Sequence, residues 1–74
     1  MTSDVDQSVA AEIRAQLARH RMSNRQLATK LGRSYMWVAR RASGEVPATV
    51  ADVHAIAGAI GIDPAELLTP TPTP

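Results

Sequence analysis

Apolar residues return every four positions near the start of the chain, at Val9, Ile13 and Leu17, and that spacing predicts a helix with one buried stripe. It should begin near Ser3 or Asp6 and run to about His20. Acids crowd its first turns and Arg19, His20 and Arg21 its end, as the helix dipole favours. A second helix has a full start signal. Ser23 and Gln26 stand at the spacing of a capping box, with Met22 placed to staple against Leu27. Leu27, Ala28 and Leu31 supply its buried side, and Gly32 is the expected left-handed stop. Ser34 then caps a third helix that ends before Gly44. Only Arg33 separates Gly32 from Ser34, so the two helices meet through a short turn, the spacing that a helix-turn-helix requires.

The pattern continues after residues 45–48. Thr49 can cap a fourth helix with Asp52 at the reciprocal position. Val50, Val53, Ile56, Ala57 and Ile60 form its apolar face, and Gly61 closes it. Gly58 inside that helix costs about 1 kcal/mol against Ala, which predicts a close helix contact there. A short fifth helix has Asp63 as cap, Pro64 in first position and Glu66 completing a box. Leu67 and Leu68 return to the core, with Ile62 stapled to Leu67. The Thr-Pro alternation of residues 69–74 suits an extended, polyproline-like tail or linker. The fold class expected is therefore all-α, a compact five-helix domain over residues 1–68.

Composition narrows the reading. Seventy-four residues make one small domain, near the size where a single core only just suffices. Without cysteine there is no disulfide framework and no thiolate metal site, and a cytoplasmic home is the default. No apolar run approaches the roughly 20 residues of a membrane span, so no membrane partner is expected. Abundant Ala and few aromatics favour helices.

A net charge of +1 conceals a segregation. All eight Arg and Lys residues lie between positions 14 and 41, a window without Asp or Glu, and all seven acids flank it. One positive surface on a nearly neutral domain suits a polyanion. No Ser-His-Asp set, paired-carboxylate site or Gly-rich phosphate loop is visible, which argues against an enzyme. His20 and His54 lack companions at metal-ligand spacing, and no cofactor is expected.

The third helix carries the candidate chemistry. Turned at about 100° per residue, Val38 and Ala42, with Ser34 nearby, share a face toward the other helices. Tyr35, Met36, Ala39, Arg40 and Ser43 share the opposite face, and Trp37 sits at the border, where DNA contact and partial core packing are equally open. A helix that reads a DNA groove needs such a mixture. A small central residue lets the backbone approach, Arg can bond guanine O6 and N7, and Met can meet a thymine methyl. The start of the second helix, with Asn24 and Arg25, can cradle a phosphate. Arg33, Arg41 and Ser43 stand ready to hold the nucleic-acid backbone on either side. Arg41 is expected to lay its stem along the core and lift its head to the DNA.

The run SNRQLATKLGRSYMWVARRASGEVP followed by DVHAIAGAIGIDPAELL resembles the lambda-repressor-like (XRE-type) helix-turn-helix family. It is closest in look to actinobacterial phage immunity repressors, which share the pattern W-V-x-R-R-x-x-G-E-x-P. The resemblance spans about residues 13–68. It implies a sequence-specific double-stranded DNA-binding domain of a transcriptional repressor in a bacterial host cell, with a recognition helix over about residues 34–43 in the major groove. It implies base reading by Tyr35, Met36 and Arg40, and phosphate contacts at Asn24 and Ser43 with help from Ser34. Three positions depart from the family: Arg41 stands where many members are apolar, Trp37 where many have Ser or Thr, and Glu45 where a basic residue is common. Family members often dimerise, so self-association, or a further domain beyond Pro74, is open. The alternative is a protein-interaction module, such as an antitoxin-type or regulatory domain that keeps the fold; its binding would hardly change with salt.

Overall fold

Local hydrogen-bonding devices open the second to fifth helices and close the helices that precede them. The computed structural model describes residues 4–69 and comprises α1 (Asp4–Arg19), α2 (Asn24–Leu31), α3 (Tyr35–Ser43), α4 (Val50–Ile60) and α5 (Ala65–Leu68). There is no strand among the described residues. Helix α2 opens on the expected box: Ser23 Oγ accepts from the Gln26 N–H at 3.0 Å, and Gln26 Oε1 accepts from the Ser23 N–H at 2.8 Å. Helix α4 repeats it with Thr49 and Asp52, both bonds at 3.0 Å. Helix α5 starts from Asp63, whose Oδ1 accepts from Ala65 at 2.9 Å while Glu66 returns a bond to the Asp63 N–H. Pro64 follows with helical angles, φ −53 and ψ −30.

The helix ends are equally explicit. Gly32 stands at φ +67 and passes its N–H to Thr29, while the Arg33 N–H reaches the Ala28 carbonyl. This double closure satisfies two carbonyls that would otherwise lack partners. Helix α1 ends in the same way but with Arg21 at φ +50 in the left-handed position, where glycine is usual. The Arg21 N–H reaches Ala18 and the Met22 N–H reaches Leu17.

The core is built from the stripes that these helices turn inward. Ile13, Leu27, Val38, Ile56 and Leu67 are its largest fully buried side chains, one from each helix. Helix α1 packs on α3 and α5, and α2 packs on α3 and α4. Met22, Leu31, Trp37, Ala48, Ala59 and Ile62 close over the centre as partly buried neighbours. Glu12 and Gln16 are also buried on α1. Among the described residues, no buried side-chain nitrogen or oxygen lacks a hydrogen-bond partner. Among the described residues, no helix is long and apolar enough to cross a membrane.

Three expectations need correction. Val50 is 76% exposed: as first residue of α4 it precedes the turn that faces the core. Leu68 is 57% exposed, because a one-turn helix can send only one of two adjacent leucines inward, and Leu67 takes that place. Gly58 is exposed, and a methyl group built on it would meet nothing within 4 Å, so no close helix contact accounts for it. The Pro-rich segment beyond Thr69 lies outside the described residues.

Candidate nucleic-acid interface

Helices α2 and α3 are joined by residues 32–34, and both the exit from one and the entry to the next are fixed by backbone geometry. Ser34 adopts φ −72 and ψ 156, and its Oγ accepts from the Trp37 N–H at 3.2 Å. Val38 and Ala42, 1% and 4% exposed, anchor α3 to the core. That anchoring turns Tyr35 and Met36 outward, 46% and 49% exposed, and leaves Arg40 and Ser43 exposed on the same side with Ala39 half-buried between them. The amphipathic division expected of α3 is therefore the one observed.

Around this face the basic residues take distinct positions. The Arg25 guanidinium lies 5.5 Å from the centroid of the Tyr35 ring, linking the first turn of α2 to the first turn of α3. Asn24, beside it, is half-buried. Arg33 leaves the turn with its guanidinium 5.0 Å from the Trp37 ring. Ser43 is committed locally: its Oγ donates to the Arg40 carbonyl at 3.0 Å and accepts from the Glu45 N–H at 3.2 Å.

Arg41 departs from expectation. Its head turns to α4 and not to the open face. Nε donates to Asp52 Oδ2 at 3.0 Å, Nη1 donates to the Trp37 carbonyl at 3.2 Å, and the guanidinium lies 4.0 Å from the Trp37 ring. Trp37 is thus half-buried against the core with two guanidiniums on it, an arrangement worth about 0.5–1 kcal/mol for each exposed pair and more where water is excluded. Burial alone pushes the Asp52 carboxyl up, but the Thr49 N–H and the Arg41 guanidinium outweigh it and hold the group below its ordinary value. One carboxylate therefore caps α4 and ties it to α3.

Sequence reasoning missed Arg14. From α1 its Nη1 donates a 2.6 Å hydrogen bond to the Ala42 carbonyl in the last turn of α3. Nothing local marks that role, since the partner lies 28 residues away. A groove of about 380 Å³ opens beside this contact, with Asn24, Ala39 and Ser43 on its walls.

Known proteins share this fold. A family model described as the BetR domain matches residues 4–73. A hypothetical transcription factor NHTF from Neisseria superposes with a TM-score of 0.84 at 21% identity, over 90% of this chain and 77% of that one. The restriction-modification controller protein C.AhdI from Aeromonas hydrophila superposes with a TM-score of 0.76 at 21% identity, over 82% of this chain and 92% of that one. At such identities the likeness is one of fold. No curated protein matches the sequence.

Proposed function

From membership of the BetR domain family, to which this chain belongs over residues 4–73, we propose that it is the double-stranded DNA-binding domain of a transcriptional repressor of phage-immunity type. It would act in the bacterial cytoplasm and without enzymatic activity. The observation that carries the reading is the outward face of α3. Tyr35, Met36 and Arg40 stand exposed around the small Ala39, beside Arg25 and Arg33, within a stretch of chain that holds no acid.

In this reading α3 is the recognition helix and lies in the major groove while α2 crosses the backbone. Arg40 forks onto guanine O6 and N7, Met36 contacts a thymine methyl and the Tyr35 hydroxyl bonds a base edge. Asn24, Arg25 and Arg33 hold phosphates on the flanks, and the free hydrogen of Ser34 can join them. Arg41 serves the reading indirectly, since its pairing with Asp52 supports the angle of α3 against α4. Ser43 contributes a phosphate contact only by giving up its bond to Arg40.

Selection of bound sequences from random duplex DNA tests the proposal. A recovered consensus, and binding that weakens with rising salt, supports it; a palindromic consensus adds that two copies bind together. Absence of any preferred duplex, with capture of a protein partner insensitive to salt, would place the chain among interaction modules instead.

A further inference from the structure

The corner between α1 and α2 carries an open trough of about 500 Å³ whose lining includes His20, Arg21, Arg25 and Lys30 around Met22 and Thr29, with no carboxylate. Among the described residues no ion pair reaches Arg21, Arg25 or Lys30. We propose that this trough takes a backbone phosphate of the bound duplex, outside the segment that α3 covers, and so extends the footprint of the domain along the DNA. The inference rests on the DNA-binding reading above.

Three observations converge on it. First, the trough is continuous with the recognition face. Arg25 lines it and also sits 5.5 Å from the Tyr35 ring at the start of α3. A duplex seated on α3 therefore meets the trough next along α2. Second, Arg21 occupies a left-handed backbone position at φ +50, and no other described residue apart from glycine has a positive φ. Such a conformation is strained for any residue with a Cβ. The fold carries an arginine there although glycine would close α1 with less strain, and it projects from the corner where the trough opens. Third, the trough is open. Small-molecule pockets bury most of their ligand; a shallow basin rimmed by cations instead suits a polyanion that runs past it.

The test compares the parent protein with an R21G/K30A variant. Arg21→Gly relieves the strained position and Lys30→Ala keeps a strong helix former, so the variant folds at least as well as the parent. Both are titrated at several salt concentrations with the duplex obtained by selection, and with versions trimmed by about five base pairs, half a helical turn, from either end. The expected result on the full duplex is about tenfold weaker binding for the variant at physiological salt. Its dependence of log K on log salt should be shallower by about 0.9, the value for one phosphate contact, with base preference unchanged. Trimming the correct end should remove the difference between the two proteins. Equal affinity and equal slope on the full duplex would overturn the inference while leaving the DNA-binding reading intact. Inorganic phosphate bound by the parent and not by the variant, without any change in DNA affinity, would also overturn it and assign the trough to a small anion. A parent protein that binds no duplex ends both proposals together.

Discussion

The guanidinium of Arg14, on α1, donates to the carbonyl of Ala42, on α3, across 2.6 Å. The acceptor belongs to the last turn of the helix, where carbonyls lack intrahelical partners and carry the negative end of the dipole. A charged donor there both satisfies the carbonyl and fixes how far α3 slides along α1. Arg14→Ala should lower unfolding stability by about 1–2 kcal/mol, read by urea denaturation. If α3 reads DNA, affinity should fall as well, with base preference kept.

Asp52 gives a pH prediction. Its carboxyl is held below the ordinary 3.8 in the folded protein, so the stability it contributes is complete above that value. It is lost as pH falls through the lower folded value, where protonation breaks the link to Arg41. Asp52→Asn should flatten this acid limb. Urea midpoints between pH 6 and pH 3 should then converge for variant and parent, while equal gaps at all pH values would mean that the pair contributes nothing.

Arg40 and Arg25 should separate by the kind of loss. Arg40→Ala is expected to weaken specific binding by roughly 1–3 kcal/mol and relax preference at one base pair, whereas Arg25→Ala should weaken all sequences alike and lower the salt slope by about one. Competition titrations with single-base variants of the selected site distinguish the two. Should Arg40→Ala leave affinity and preference untouched, the reading face is misassigned.

Gly44 stands at φ +84, and a methyl group there would come within 2.9 Å of the Gln7 amide. Gly44→Ala should therefore cost about 1–2 kcal/mol, most of it from the left-handed backbone. Adding Gln7→Ala should restore only the smaller part due to the side-chain clash, since the Gln7 amide sits at the end of a flexible chain. Thermal melts of the single and double variants measure both parts.

What could be read in the sequence was what depends on neighbours within four or five positions. The boxes at Ser23 and Thr49, the stops at Gly32, Gly44 and Gly61, and the two faces of α3 are such features, and the structure has them. What could not be read depends on distant chain. Asp52 was recognisable as a cap, but its second bond reaches back eleven residues to Arg41, and that bond decides where the arginine head goes. Arg21 was legible as a charge near a helix end, not as the residue that closes it with a positive φ. Val50 and Leu68 obey the apolar period yet face water, because periodicity gives the direction of a stripe and not how much of it the neighbours cover.

A single arginine intervenes between the glycine that finishes one helix and the serine that begins the next, and both of those residues are locked by hydrogen bonds to main-chain atoms. Those bonds set the angle at which the reading element leaves its neighbour. For a duplex seated as proposed, any mismatch of curvature has to be absorbed by the nucleic acid. Operators rich in easily bent steps such as TA would then be favoured even at positions that no side chain touches.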